Sequence, residues 1–354
     1  MNKWLKVILC IVLAVVIVAV GYVSYVLIDY HRIGNQQLEI SGESAQHPAK
    51  DTRYEILSYN IGFGAYEPDY GFFMDGGTES WAWSEERLDA NLANIAQFLQ
   101  KQDADFYLIQ EVDRDSTRSY HVDELMPLTN ALGEGYPYTW AQNYDSPFLF
   151  YPFTQPHGSS VSGIMTASRF AMTSANRREL PIEKSLMKLV DLDRCFSVQR
   201  IPVGDRELVL FNLHLSAYTS DGTIATEQLE LLLGYMDAEY NKGNWCIAGG
   251  DFNKDLLGDS GRYFGASDKE YSWAQPIPEG TFDSVGITLV APVDESAPVP
   301  SCRNADGPYH KGQYVLTVDG FMVSDNVEVE EADVMDLGFA YSDHNPVKMA
   351  FYLR

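Results

Sequence analysis

The chain has 354 residues, of which 45% are hydrophobic and 21% charged, so most of it can bury a core and a disordered chain is excluded. Lys and Arg total 25 against 50 Asp and Glu, a formal net charge of −25, which leaves no electrostatic footprint for a protein that grips long nucleic acid through its phosphates. Four cysteines and 27 glycines are ordinary for this length and exclude a disulfide-dense mini-protein or a collagen.

From Val7 to Ile28 there is no charged side chain, and Val, Ile, Leu and Ala dominate. At about 1.5 Å per residue such a helix is roughly 30 Å long, enough to cross a bilayer core. Lys3 and Lys6 precede the run, which keeps the N-terminus cytoplasmic and puts everything after Ile28 outside. Ala19-Val20-Gly21 has the small-x-small form of a cleaved signal, but Tyr22 to Ile28 continues the apolar run beyond it and favours a retained anchor. The expected organisation is a cytoplasmic segment 1–6, a transmembrane signal anchor 7–28, a flexible stalk 29–52 and one catalytic domain 53–354. The stalk is read from Gly34, Ser41, Gly42, Ser44 and Pro48 in a polar stretch without period. Of the exported thiols Cys195, Cys246 and Cys302, at most one pair can form, and Cys246 in Trp245-Cys246-Ile247-Ala248 reads as a buried thiol.

Within the domain, Tyr54 to Asn60 is a β-branched and aromatic run bounded by Gly62 and Gly64, hence a strand. Ser84 offers an N-cap, Glu85 and Glu86 suit a helix N-terminus, and Leu88, Leu92, Ile95 and Leu99 recur at helical spacing. Asp105 to Val112 is a second buried strand. Further strands are predicted at 163–168, 196–202, 207–215, 245–250, 314–324 and 347–353, with a second helix over 224–241. Strands outnumber helices and helices fall between them, which implies packed sheets with helices outside.

The distinguishing feature is where polar residues interrupt these strands. Asn60 and Glu111 close the first two, His214 interrupts Phe211 to Leu215, and Asp251 with Asn253 follows Gly249-Gly250. Asp319 breaks Val315 to Val323, and Asp343-His344 precedes Asn345-Pro346-Val347. Each alone is explained as a cap or turn residue. A carboxylate such as Glu111 at the end of an apolar run, however, needs a partner or a cation. Together they supply one chemistry. Glu111, Asn60 and Asp343 offer hard oxygen ligands for Mg²⁺ or Mn²⁺. His344 can take a proton from an attacking water if Asp319 fixes its tautomer. Asp251 and Asn253 can approach the phosphorus past a side-chain-free Gly250, and His214 can donate to a phosphoryl oxygen.

The ordered series Ser58-Tyr59-Asn60, Gln110-Glu111-Val112, Ser162-Gly163-Ile164-Met165, Asn212-Leu213-His214-Leu215, Gly250-Asp251-Phe252-Asn253, Val318-Asp319-Gly320-Phe321 and Ser342-Asp343-His344-Asn345-Pro346 resembles the endonuclease/exonuclease/phosphatase superfamily. The resemblance covers nearly all of Tyr54 to Leu353. It implies a four-layer α/β sandwich of two mainly antiparallel sheets flanked by helices, and a divalent-metal phosphoesterase. It puts Glu111, Asn60 and Asp343 around the metal and pairs His344 with Asp319. Asp251, Asn253 and His214 would contact the scissile phosphate and its nucleophile. Tyr314 to Gly320 departs from the Pro-x-Trp-Cys-Asp-Arg segment of inositol polyphosphate phosphatases, and Gly-Asp-Phe-Asn-Lys departs from the Gly-Asp-Leu-Asn-Val of apurinic endonucleases. Leu215-Ser216-Ala217-Tyr218 is unlike secreted sphingomyelinases or deoxyribonucleases. The chain looks most similar to exported, membrane-tethered bacterial members.

Phe148 to Gly158 is too apolar for an ordinary loop and too Pro-broken for a helix, and either rims the site, touches lipid or packs on the sandwich edge. Arg194 reads as a phosphate ligand or an internal ion pair, and Tyr218 and His157 as substrate contacts. His31, His47, His121 and His310 read as surface residues. The expectation is thus a monomeric, single-pass cell-membrane protein with its domain outside, acting on a small or lipid-linked phosphodiester, a headgroup or an envelope polymer, with no strong nucleic-acid binding. The alternatives are an extracellular deoxyribonuclease and an inactive binding module on the same fold.

Overall fold

The computed structural model describes residues 2–182, 193–217, 223–265 and 273–354. In chain order its elements are α1 (Lys3–Asp29), β1 (Gln36–Gln37), β2 (Arg53–Asn60), α2 (Glu85–Gln102), β3 (Phe106–Asp113), α3 (Leu125–Leu132), β4 (Tyr138–Leu149), β5 (Gly158–Ser168) and β6 (Ser174–Glu179). There follow β7 (Cys195–Val203), β8 (Arg206–His214), α4 (Thr223–Tyr240), β9 (Trp245–Asp251), α5 (Ser260–Phe264), β10 (Ile287–Val290), β11 (Cys302–Arg303), β12 (Val315–Leu316), β13 (Asp319–Ser324), β14 (Val327–Val334) and β15 (Val347–Leu353).

The strands form a six-stranded sheet, β14-β15-β2-β3-β5-β4, and a seven-stranded sheet, β1-β6-β7-β8-β9-β13-β10. The pairs β2–β3 and β8–β9 are parallel, each joined across a helix, and the other pairs of the two sheets are antiparallel. Strand alternation then sorts the side chains into layers. Ile56, Phe106, Leu108 and Met349 of one sheet meet Leu208, Leu210, Ile247 and Phe321 of the other in a core between the sheets. Leu57, Tyr59, Tyr107 and Ile109 point the opposite way, onto Leu88, Leu92, Ile95 and Leu99 of α2. On the other side Val209, Phe211, Cys246 and Ala248 pack under Leu229, Leu232, Leu233 and Met236 of α4. The result is the expected four-layer α/β sandwich. Ser84 caps α2 by accepting from the Arg87 amide at 3.2 Å.

Three expectations need correction. The segment expected as a flexible stalk is packed on the domain: β1 pairs with β6, Leu38 is buried beside Ala141, Ile164, Ala175 and Cys195, and Ser41 bridges Tyr138. The reason is the alternation of Leu38 and Ile40 around Glu39, a strand signal that the surrounding Gly, Ser and Pro conceal. The run 314–324 is two strands, because the Val318 and Asp319 amides are taken by the Ser301 hydroxyl at 2.9 and 3.0 Å instead of by a neighbouring strand. Gly250 serves the sheet itself: a Cβ there would lie 2.0 Å from the Leu213 carbonyl oxygen, so close strand pairing, not approach to phosphorus, excludes a side chain.

Helix α1 is long and apolar enough to cross a membrane. Cys10, Cys195, Cys246 and Cys302 are all free thiols, the last three buried.

Candidate active site

The register of the two sheets delivers the strand-end residues to one edge. In the seven-stranded sheet His214 lies opposite Asp251 and Asp251 opposite Asp319, so three polar residues form one cross-strand row. In the six-stranded sheet Asn60 lies opposite Gln110, next to Glu111. The β3–β5 register shifts between Ile109 and Val112, and Glu111 takes φ +56°, an irregularity that re-aims its side chain out of the sheet. Behind this edge Gln110 donates to Asn212 at 2.8 Å, and Asn212 donates to the Met165 carbonyl at 2.7 Å, a buried polar tie between the sheets.

His344 Nδ1 and Asp319 Oδ2 are 2.7 Å apart, and the Ser301 hydroxyl donates to the same carboxylate oxygen at 2.7 Å. That leaves Nε2 of His344 facing Asp251 Oδ2 at 3.8 Å and Asn60 at 3.5 Å. His214 Nε2 stands 3.4 Å from the same Asp251 oxygen, and the Asn253 amide donates to the other at 2.8 Å. The Asn253 side chain donates to the Leu215 carbonyl at 2.7 Å. Asn60 donates through one nitrogen to Glu111 at 3.1 Å and Asp251 at 3.0 Å, while its oxygen accepts from the Gly62 amide at 3.0 Å. In this arrangement Asn60 positions two carboxylates, and its amide must rotate to present the oxygen expected as a ligand. Asp343 faces the same cleft beside His344.

The electrostatics follow from crowding carboxylates in a partly dry cleft. Burial pushes the Asp251 carboxyl up to about 7, with Asp319 adding to the rise and His344 opposing it. Burial also raises Glu111; Arg118 works against that rise, and Asp343 adds to it. His344 is held well above the usual imidazole range, because Asp319 and further anionic neighbours outweigh its burial. His214 is driven well below that range, by burial first and then by Arg194 and His344. One imidazole therefore keeps its proton and the other stays neutral.

Sequence reasoning missed Arg118 and Arg303. Arg118 is buried, grips Asp113 through two hydrogen bonds at 2.8 and 2.9 Å, and lies 3.9 Å over the Phe63 ring. Arg303 donates to the carbonyls of Asn304 and Gly307. With Arg194, they line a cleft that also holds Glu111, Asp251, Asp343, His214 and His344. An acidic protein thus places three arginines around one cleft. The signal for Arg118 was available in Asp113-Arg114-Asp115-Ser116-Thr117-Arg118, a turn directly after a motif strand. His157 also lines the cleft, its imidazole pushed down to about 3 by burial and by Arg118. Tyr218 lies outside the described residues. His31, His47, His121 and His310 are exposed.

The donor set suits a hard divalent cation. Glu111 and Asp343 present carboxylates to one cleft, and Asp343 raises the cost of charging Glu111, the arrangement a cation relieves. Asp251, Asp319 and His344 also bring donor atoms within 4.8 Å of one another, and Asp319 Oδ1 is buried without a hydrogen-bond partner. Because Asp319 Oδ2 and His344 Nδ1 already bond each other, the second group is better suited to holding a proton than a metal.

Residues 57–344 match the model of the Endonuclease/Exonuclease/phosphatase family, and the chain belongs to that family. Its members hydrolyse phosphoester bonds with a divalent metal. No curated protein matches the chain. Among solved structures, an endonuclease/exonuclease/phosphatase from Beutenbergia cavernae is 17% identical over 85% of this chain and 72% of its own, with a TM-score of 0.59. A 2',3'-cyclic phosphatase, ANGEL2, bound to adenosine-2',3'-vanadate, is 15% identical over 91% of this chain and 99% of its own, TM-score 0.56. A family member from Bacteroides vulgatus is 15% identical over 86% of this chain and all of its own (100%), TM-score 0.52. At these identities the likeness is one of fold.

Proposed function

We propose that the chain is a Mg²⁺- or Mn²⁺-dependent phosphoesterase, held in the cell membrane by α1 with its domain outside, that hydrolyses a small or lipid-linked phosphodiester. The observation that carries this reading is the 2.7 Å pairing of His344 with Asp319, beside Asp251, in a cleft that also holds Glu111 and Asp343 and is lined by arginines. Glu111 and Asp343 would hold the cation, with Asn60 placing Glu111. A cation bound there supplies Lewis-acid polarisation of a phosphoryl oxygen and offsets the negative field that keeps His344 protonated. Asp319 fixes Nδ1 of His344, leaving Nε2 to receive a proton from water aligned by Asp251 and Asn253. His214, neutral and buried, donates to a phosphoryl oxygen as charge builds there, and the cleft arginines bind the phosphate.

The lipid-linked substrate is supported by the anchor and by the acidic exterior, since Arg177, half of the only adjacent arginine pair, is fully buried and donates to the Ile33, Gly34 and Gln142 carbonyls. The test is a panel at fixed low salt with the full chain in nanodiscs, comparing phospholipids, sphingomyelin, inositol phosphates, RNA, and oligonucleotide and plasmid DNA, with and without EDTA. Preferential, chelator-sensitive turnover of a lipid or small phosphodiester is expected. Preferential cleavage of plasmid DNA would replace this reading with a deoxyribonuclease, and no turnover on any member with metal present would favour a binding module.

A further inference from the structure

The end of β4 and the loop to β5 run Phe148-Leu149-Phe150-Tyr151-Pro152-Phe153-Thr154-Gln155-Pro156 and carry no charged side chain. Phe150, Tyr151 and Phe153 are 52%, 64% and 83% exposed, an apolar surface that water does not favour. The loop is bonded to the anchor itself. The Tyr22 hydroxyl donates to the Phe148 carbonyl at 3.0 Å and accepts from the Phe150 amide at 3.2 Å, and the Tyr25 hydroxyl accepts from the Phe148 amide at 3.1 Å. The Tyr22 ring meets the Phe150 ring edge-on at 5.1 Å.

These contacts fix the depth of the loop. Asp29 is the first charged residue after the apolar run of α1. At 1.5 Å per residue, Tyr22 and Tyr25 sit about 10 Å and about 6 Å below it along the helix, on the membrane side. That is the depth at which apolar side chains enter the boundary between headgroups and acyl chains. At that depth an unpaired backbone amide or carbonyl is costly, and the groups the two tyrosines satisfy are those of Phe148 and Phe150. On the protein side the loop leads to the cleft: Phe153 meets Tyr151 edge-on at 5.8 Å, Tyr151 meets Phe73 at 6.0 Å, and Phe73 meets Phe72, a cleft residue, at 4.8 Å.

We propose that this loop is a second membrane contact, inserted with Phe150, Tyr151 and Phe153 into the outer boundary of the bilayer that α1 crosses, and that it holds the mouth of the cleft against the lipid surface. The inference rests on α1 spanning the membrane and is independent of the chemistry in the cleft. The aromatic series from Phe153 to Phe72 then gives the apolar part of an amphiphile a continuous surface from bilayer to site.

The test uses the full chain in phosphatidylcholine nanodiscs, on a Cys10→Ser background, with one polarity-sensitive fluorophore at Phe153→Cys, Val18→Cys or Asp205→Cys. Asp205 is the water reference: it follows the far end of β7, about 30 Å along the strand from Asp193, which accepts from Tyr30 just beyond α1. Blue-shifted emission at 153, with quenching by headgroup-proximal nitroxide lipids several-fold stronger than at 205, is expected. Shielding at 18 with water-like emission at 153 would overturn the loop contact alone. Water-like emission at both would overturn the span and the loop contact together. Phe150→Cys gives a second reading of the same depth and guards against a local effect at 153.

Discussion

The two halves of the cleft come from different sheets and differ in chemistry. The six-stranded sheet contributes Asn60 and Glu111, and the turn before β15 adds Asp343 together with His344, whose Nδ1 is tied across the cleft to Asp319. The seven-stranded sheet contributes His214, Asp251 and Asp319, to which His344 is tied through Asp319. In the proposed mechanism one half offers hard oxygen to a cation, and the other stores and moves protons. Proton affinities in this second half are shifted far from ordinary values: burial raises Asp251, with Asp319 adding and His344 opposing, and at His344 the pull of Asp319 and further anionic neighbours outweighs burial.

If the halves are distinct, their variants separate. His344→Ala should lower kcat by about 10² to 10⁴ with the fold intact, as loss of a general base does. Excess Mg²⁺ should not restore it; full rescue by metal would merge the two halves into one. His214→Ala should cost about 10² to 10³, the scale of one lost donor to a developing oxyanion, chiefly in kcat. A change confined to KM would make His214 a ground-state contact. Glu111→Gln should raise the Mg²⁺ needed for half-maximal turnover by at least the about 10- to 100-fold that loss of an outer-shell partner costs. An unchanged metal titration would remove Glu111 from the cation half.

Much of this site is legible in the sequence because charged and amide residues rarely end apolar strands without a partner. Asn60, Glu111, His214, Asp251 and Asp319 are visible that way before any coordinate, and the spacing of Leu88, Leu92, Ile95 and Leu99 gives α2 directly. What is less legible depends on contacts made only on folding, or on local breaks in the strand pattern. Arg118 reads as a loop arginine until the turn after β3 folds it onto Asp113 and Phe63. Strand β14, Val327-Glu328-Val329-Glu330-Glu331-Ala332-Asp333-Val334, has so charged an outer face, and a bulge between Val329 and Glu331, that alternation is broken where it would be read. Strand β4 is interrupted by Pro147 and by register shifts, and Leu38 is hidden in a polar stretch.

Smaller effects sharpen the comparison from outside the cleft. Burial would raise the Glu239 carboxyl, but hydrogen bonds from Arg200, Lys242 and Asn244 win and pull it down to about 2 from an ordinary 4.5. Its contribution to stability is therefore complete above pH 4.5 and lost as pH falls toward 2. Glu239→Gln should flatten that acid limb in thermal melts while leaving the metal titration alone; an unchanged limb would show that the ion pairs there are solvent-screened. The least effect is expected at the membrane loop. Phe153→Ser should lower the ratio of turnover on vesicle-borne to small soluble phosphodiesters by about threefold, the loss of part of one side chain's apolar burial. A ratio that does not move would separate the membrane contact from substrate delivery.

The most direct test of the divided cleft is a Mg²⁺ titration of phosphodiester turnover, run side by side on the parent chain and on Glu111→Gln and His344→Ala in nanodiscs after removal of metal by EDTA. The account predicts no turnover without metal, a right-shifted curve for Glu111→Gln, and an unshifted curve with a low plateau for His344→Ala. Turnover by the parent chain that is indifferent to EDTA, or identical curves for the two variants, would contradict it.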